Sequence, residues 1–319
     1  MGRRKSLGTR SKMGYSLLRR NKKTTSGQVM KSNPLVIIVT YNAMQWIAKC
    51  IESVMESDIP LDILVIDNMS IDSTFKYIKE TYPSVKLIQN KTNLGFGAAN
   101  NIGLQYALDN NYPYVYLLNQ DAWIKPDTIR LLIKANMGAP QYGILSPMQM
   151  QSNENELDKN FNIVLSNATQ TGALIPVKNV MAAHWLISRK CLLEVGGFSP
   201  TFHHYGEDDN YCDRTRQKGF KIGIVTKAIA VHDRSNRTSN AHQKLYESYV
   251  RTLVYLSGFE RSSLFAIYGF ACDCIKFLFK EKSFLFASHI KEIVFSIKKI
   301  KRNKQISLSQ TAFLQRREN

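Results

Sequence analysis

The 319-residue chain has no run of the roughly 18–20 uncharged apolar residues that a bilayer-crossing helix needs. Its most apolar stretch, residues 264–279, is interrupted by Asp273 and Lys276, which argues against a membrane span. Residues 1–29 are basic but have no apolar segment behind the charges, so a secretory signal is not expected. Cysteine is scarce: five residues, Cys50, Cys191, Cys212, Cys272 and Cys274, form no C-x-x-C pair, and the last two are too close for an ordinary bridge. A reducing compartment is therefore expected, and the N-x-S/T triplets at Asn68, Asn90, Asn167 and Asn236 are then chance matches. Zinc spacing of His and Cys is missing, as is the G-x-S-x-G elbow of a serine hydrolase. The glycine-rich stretch Asn93–Asn101 has neither G-K-S/T after it nor a G-x-G-x-x-G pattern within it. Kinase and dehydrogenase readings lose their main support.

Charge is abundant, and its distribution excludes a further class. The formal net charge is +18, yet residues 1–29 hold nine Lys or Arg and no acid, and residues 276–319 hold eleven basic and three acidic residues. What remains for residues 30–275 is close to neutral, unlike a nucleic-acid-binding domain, whose basic residues cluster on its folded surface. Residues 1–33 are polar and without apolar period, so a disordered basic tail or extension is expected there, with Met30 a possible start.

From Pro34 the pattern alternates. Buried β-branched runs at 35–40, 61–67, 85–89 and 114–118 are separated by segments of helical period at 43–55, 74–81 and 98–108. Such alternation predicts an α/β fold with a mostly parallel sheet, helices on both faces and ligands bound at the carboxyl ends of the strands. Polar clusters stand at each of those ends. Thr40, Tyr41 and Asn42 follow the first strand, and Asp67, Asn68, Ser70 and Asp72 the second. Asn93, Gly95, Gly97, Asn100 and Asn101 follow the third, where glycine lets backbone approach a ligand closely. After the fourth come Asn119, Gln120 and Asp121; Asp121 either ligates a hard divalent cation or caps the turn before Pro126. One such cluster reads as a helix cap or turn, but four on one edge predict a shared ligand site.

The motifs V-T-Y-N, I-D-N-M-S-I-D, N-L-G-F-G-A-A-N-N and L-N-Q-D-A, in this order and spacing, resemble the nucleotide-sugar half of family 2 glycosyltransferases, and among them rhamnosyltransferase-like members. The later segment V-G-G-F-S-P-T-F-H-H-Y-G-E-D-D, opening a helix, is similar to the family's acceptor half. The resemblance covers about Pro34 to Asp233. It implies a GT-A fold over residues 34–240, divided into a nucleotide-sugar half (34–145) and an acceptor half (146–240), with a helical, basic region at 241–319. It further implies an inverting glycosyltransferase that uses a UDP- or dTDP-sugar, with Mg2+ or Mn2+, to extend a cell-envelope polysaccharide or lipid-linked glycan.

Position by position, Thr40, Tyr41, Asn42, Asp67 and Asn68 would line the base and ribose pocket, and the loop carrying Asn93, Gly95, Gly97 and Asn100 would close over the nucleotide. Asn119 and Asp121 stand at the family's D-x-D position, with an amide in place of the first acid, so Asp121 would hold the metal and Asn119 a sugar or ribose hydroxyl. His232 matches a position near the metal or diphosphate. Asp208 is the expected general base and Glu207 its orienting neighbour, with Asp209 the rival base. His203, His204 and Tyr205 would wall the acceptor; Trp185 would either stack on a sugar or pack, partly buried, in the fold.

Beyond Asn240, Ile290, Ile293, Val294, Ile297 and Ile300 recur at helical spacing among lysines, a basic amphipathic helix. Residues 276–319 are accordingly expected to contact a membrane surface, placing the protein in the cytoplasm, peripheral on the inner face of the cell membrane. No nucleic-acid partner is expected. The rival readings are a sugar nucleotidyltransferase, for which the glycine-rich loop lacks a basic residue, and a basic nucleic-acid-binding protein.

Overall fold

The structure is a computed structural model that describes residues 30–234, 241–259, 263–281 and 286–315. The expected tail at 1–33 thus lies, for residues 1–29, outside the described part. The chain runs β1 (Leu35–Thr40), α1 (Ile47–Met55), β2 (Asp62–Asp67), α2 (Thr74–Thr81), β3 (Lys86–Gln89), α3 (Phe96–Asp109), β4 (Tyr114–Asn119), β5 (Ala122–Ile124) and α4 (Thr128–Gly138). It continues through β6 (Tyr142–Met150), α5 (Lys159–Ser166), β7 (Leu174–Val177), β8 (His184–Ser188), α6 (Arg189–Val195), α7 (Glu207–Gln217) and β9 (Lys221–His232). Three helices close it: α8 (Ala241–Ser257), α9 (Ser263–Glu281) and α10 (Phe286–Ile306).

The strands form one sheet in the order β3-β2-β1-β4-β8-β6-β9-β5, with β7 pairing β9 off that path. The ladders β3-β2, β2-β1 and β1-β4 are parallel, as the alternating pattern predicts, and β8 enters antiparallel between β4 and β6. The expected division at 145/146 falls inside β6, which pairs with both β8 and β9 and so carries the sheet across it.

Alternate residues of each central strand feed opposite faces, the period-2 rule of an extended chain. Leu35, Ile37, Leu64, Ile66, Val115 and Leu117 bury against α3, α6 and α7. Val36, Ile38, Val65, Tyr116 and Leu118 bury against α1, α2 and α4. Because both faces are covered, the strands read as continuous apolar runs and are legible in the sequence.

The carboxyl-terminal helices form a third cluster, in which Leu245, Tyr249, Leu253, Phe270, Phe277, Ile293 and Ile300 surround Phe202 of the main body. The chain then turns back. Gly197 N–H donates to the Ala312 carbonyl (2.7 Å), and Leu314 joins the core beside α3 and α6. Gly196, at φ +82°, leaves no room for a Cβ against Ala312. The V-G-G-F motif therefore receives the returning residues 312–314, and the region after residue 240 is anchored to the main body both through α8 and through this return.

Candidate active site

The carboxyl ends of β1, β2 and β3 are tied to one another before any ligand arrives. Asn42, at φ +51°, donates its N–H to Ser70 Oγ (2.9 Å) and accepts from the Ile71 N–H through Oδ1 (2.9 Å). Asn68 is buried; its side chain donates to Asn93 Oδ1 (2.8 Å) and accepts from the Leu94 N–H (2.9 Å). Gln120 donates to and accepts from the backbone of Tyr41, at 3.2 and 2.7 Å, joining the fourth strand end to the first. Tyr41 itself is exposed on this edge.

Two expected donor contacts are corrected by burial. Asp67 has no exposed surface, and it accepts from Thr40 Oγ1 (3.1 Å), Ser70 N–H (3.1 Å), Ser70 Oγ and Gln89 Nε2 (3.4 Å). A carboxylate out of water must be satisfied by neighbours, so Asp67 organises the loop beneath the pocket. Asn100 is 2% exposed and donates to the Phe96 carbonyl within α3 (3.0 Å), so it faces the helix interior.

The glycine-rich loop also differs from expectation in what it admits. A Cβ on Gly95, at φ +80°, would collide with the backbone carbonyl of His203, and one on Gly97 would stand 2.9 Å from Phe198 Cβ. Asn101 holds the same segment through both its amide atoms, accepting from Phe198 N–H (2.6 Å) and donating to Phe198 C=O (2.9 Å). The close approach these glycines permit is that of the protein's own 198–203 segment, which packs against the glycine-rich loop.

Asp121 and His232 meet where β5 and β9 pair: Asp121 Oδ1 is 3.4 Å from His232 Nε2. His232 is 1% exposed and its Nε2 has no hydrogen-bond partner, nor has the buried Asn119 Oδ1. Among the described residues no three His, Cys, Asp or Glu side chains gather into a metal cluster. A carboxylate and an imidazole 3.4 Å apart nevertheless stand close enough to share one divalent cation after a small inward adjustment. The remaining positions would then be open to phosphate oxygens, and an imidazole donor suits Mn2+ better than Mg2+. Behind this pair His184, missed in the sequence, donates from Nε2 to the Val231 carbonyl (3.0 Å) and so accepts at Nδ1 from Tyr116 Oη (2.9 Å). Arg234 approaches from the front: its Nε donates to His232 Nδ1 (3.2 Å) and stands 3.4 Å from Asp158. With Nδ1 accepting, the neutral imidazole carries its proton on Nε2 toward Asp121, so a cation held at Nε2 would displace both that proton and the Arg234 contact.

The acidic triplet opens α7, as the later motif predicts. Tyr205, at φ +66°, and Gly206, at φ +82°, make the turn into it. Arg214 and Tyr211 fix the helix from below: the guanidinium donates to the carbonyls of Val195 (3.0 Å) and Gly197 (2.5 Å), and Tyr211 Oη donates to Gly196 C=O (2.9 Å). Burial and then the Asp209 charge raise the Asp208 carboxyl to about 7. Burial and then Asp208 raise Glu207 to about 8, and its Oε2 has no hydrogen-bond partner. Asp209 is engaged by the side-chain amide of Asn179, which leaves Asp208 the better-placed base of the triplet.

Asp208, Asp209, Tyr205 and His232 line one cavity of about 770 Å³. Its far wall is α8, which presents Gln243, Glu247, Val250, Arg251 and Val254, a single helical face that sequence reading did not connect to the site. Tyr205 lines this cavity and is exposed; His204 beside it is exposed but is not among the lining residues, and Tyr246 Oη donates to its carbonyl (2.9 Å). Trp185 is not part of that lining. It is fully buried in β8, stacked on Phe198 at 6.2 Å, because every residue of His184–Ser188 is covered. A second cavity of about 650 Å³, around Leu35, Asp62 and Tyr112, opens at the opposite edge of the sheet, away from these groups.

Comparison with known proteins accords with this geometry. Residues 35–191 match the family described as glycosyl transferase family 2. The chain is 24% identical over 249 residues to the low-salt glycan biosynthesis hexosyltransferase Agl10 of Haloferax volcanii, covering 74% of this chain and 79% of that one. It is 25% identical over 243 residues to the N-acetylglucosaminyl-diphospho-decaprenol L-rhamnosyltransferase of Mycobacterium tuberculosis, covering 64% and 76%. The mannosyltransferase PcManGT from Pyrobaculum calidifontis, solved with GDP-Man and Mn2+, superposes with a TM-score of 0.57 at 17% identity, over 86% of this chain and 84% of that one. That likeness shows the fold, the GT-A arrangement expected above.

Proposed function

We propose that the chain, whose residues 35–191 match the glycosyl transferase family 2 model, performs an inverting, metal-dependent transfer from a UDP- or dTDP-sugar to a hydroxyl of a lipid-linked or polysaccharide acceptor. The observation that carries this reading is the meeting of a carboxyl held near neutrality, Asp208, and the His232 edge of the Asp121–His232 pair in one cavity.

In the proposed reaction Asp208 takes the proton of the acceptor hydroxyl as its oxygen attacks the anomeric carbon. The carbon–oxygen bond to the diphosphate breaks on the opposite face, so configuration inverts. A carboxyl whose proton affinity lies near neutrality is suited to that exchange. A cation held by Asp121 and His232 would supply positive charge to the departing diphosphate. Tyr41, the Asn68–Asn93 tie and the Gly95 loop form the floor on which a nucleoside would lie, with Asp67 fixing that floor from beneath. Glu207 acts by position, sharing the buried start of α7 with Asp208.

The lipid-linked acceptor is supported by the name of the mycobacterial relative, whose substrate is a diphospho-decaprenol glycan. Such an acceptor places the protein at a membrane, and the cytoplasmic face is where nucleotide-sugars would be met. None of the helices among the described residues is long and apolar enough to cross a bilayer, so the association would be peripheral.

The test is incubation of the full chain with UDP-, dTDP- and GDP-sugars, Mn2+ and a short prenyl-diphosphate-linked N-acetylglucosamine. Mass spectrometry reads the added sugar, and proton NMR the anomeric configuration. An inverted product from a pyrimidine-linked donor is expected. A retained configuration would contradict the single-base mechanism, and exclusive use of a GDP-sugar the donor assignment.

A further inference from the structure

Helices α9 and α10 bury only one side of themselves. Phe270, Cys274 and Phe277 of α9 face inward, as do Ile293 and Ile300 of α10, all against α8 and Phe202. The outer side of α9 is equally apolar. Leu264 (81% exposed), Tyr268 (70%), Ile275 (55%) and Phe279 (79%) stand at spacings of four, seven and four, which is one stripe of a helix, and Phe265 lies beside it. On α10, Ile290, Val294 and Ile297 make a second exposed stripe with Phe295 at its flank. Single exposed apolar residues need no explanation, but contiguous stripes mark a surface that meets something other than water.

We propose that the outer faces of α9 and α10 form a monotopic docking surface for an anionic lipid bilayer. In it Leu264, Phe265, Tyr268, Ile275 and Phe279 enter the interfacial layer while the α10 lysines meet the headgroups. Charge decides between lipid and a second copy of the chain. α10 carries six Lys or Arg and one Glu, and Lys291, Lys298, Lys299, Lys301 and Arg302 are all exposed. A face of one sign repels its own copy and attracts anionic headgroups, with each Lys or Arg near the surface contributing on the order of 1 kcal/mol. Helices of this kind lie in the membrane plane, and neither α9 nor α10 is apolar enough to cross.

The surface revises the expectation from sequence in two respects. The apolar contact begins at Leu264, upstream of residue 276. The five-residue stripe of α10 is divided, with Ile293 and Ile300 turned into the protein and Ile290, Val294 and Ile297 outward. α8 lies between this surface and the chemistry: it packs on α9 and α10, and another of its faces lines the cavity with Asp208. The surface does not depend on which acceptor is used, so its test and that of the transferase reading fail separately.

The experiment is co-sedimentation of the full chain with phosphatidylcholine–phosphatidylglycerol vesicles and with phosphatidylcholine vesicles alone. The wild type is compared with the triple variant Phe265→Ser, Tyr268→Ser, Phe279→Ser and with Lys291→Gln, Lys298→Gln, Lys299→Gln. Wild-type binding is expected to need the anionic lipid. The aromatic variant should lose at least about a hundredfold in affinity, given roughly 1.5 kcal/mol or more per buried large apolar side chain. The lysine variant should lose roughly a hundredfold at low salt and less at high salt. Thermal melting should be unchanged in both, since the altered side chains are exposed. Unaltered binding by the aromatic variant would assign the association to the charged termini and overturn the proposal. So would a wild-type dimer, seen by sedimentation velocity, that the aromatic variant makes monomeric.

Discussion

Replacing Asp208 by Asn removes the proposed base with little change of shape, since the amide oxygen can still accept from the Asp209 N–H as the carboxylate does at 2.9 Å. A positioned base contributes about 10²–10⁴-fold, so turnover should fall by that factor, which is roughly 3–5 kcal/mol at 1.36 kcal/mol per decade. Affinity for the nucleoside diphosphate should stay within about twofold. The pH profile is more specific. With the Asp208 carboxyl at about 7 in the ligand-free protein, the wild-type kcat/KM for the donor should climb with unit slope and level off above that value. One pH unit below it, only about a tenth of the molecules hold the base ionised and the rate should be about a tenth of the plateau. The neighbouring Glu207 interacts with Asp208, so the inflection belongs to the pair. The assay is release of nucleoside diphosphate between about pH 5.5 and 9 for wild type and Asp208→Asn. A variant within about twofold of wild type, or one that keeps the same acid limb at lower rate, would refute the assignment and direct attention to Asp209.

Three further outcomes are expected. Glu207 is 6% exposed and its carboxyl lies at about 8, above its value of 4.5 in an unfolded chain, so it favours folding below about pH 4.5 and loses that contribution as pH rises through 8. Glu207→Gln should therefore stabilise more at pH 8 than at pH 5, by about 3 kcal/mol in urea unfolding on the linkage relation; an equal effect at both pH values would contradict the raised carboxyl. Gly95→Ala forces a positive φ and a clash with the His203 carbonyl, so it should cost about 1–3 kcal/mol and lower the melting temperature, whereas an unchanged melting temperature would show that the loop can move away. His232→Ala, leaving Asp121 as the remaining carboxylate, should weaken Mn2+-supported donor binding more than Mg2+-supported binding, because imidazole suits the softer ion; equal losses for the two metals would remove His232 from the metal.

The nucleotide half was legible because its strands are buried on both faces and its loops are polar at every strand end. What the loops touch was not legible. Glycine at 95 and 97 signals a close approach but not the approaching group, which is the chain's own 198–203 segment a hundred residues later. Asp67 and Asn100 carry ligand-type side chains whose partners, Ser70, Gln89 and Phe96, are fixed only by the folded loop. Trp185 sits in H-W-L-I-S, a run without alternation, and such a run buries both its faces; that signal was present and points to core. α8 as a cavity wall depends on contacts between segments 35–50 residues apart, as with Asp208 and Gln243 to Arg251, and no local period encodes them.

The central claim is a metal-dependent site for a nucleotide-sugar at the Asp121–His232 pair. Calorimetric titration of UDP, dTDP, GDP and ADP into the full chain and its Asp121→Ala variant, with and without Mn2+, tests it most directly. Binding of a pyrimidine diphosphate that requires Mn2+ and is lost in Asp121→Ala is the predicted result. Binding that is indifferent to both the metal and Asp121, or no binding of any of these nucleotides, would contradict it.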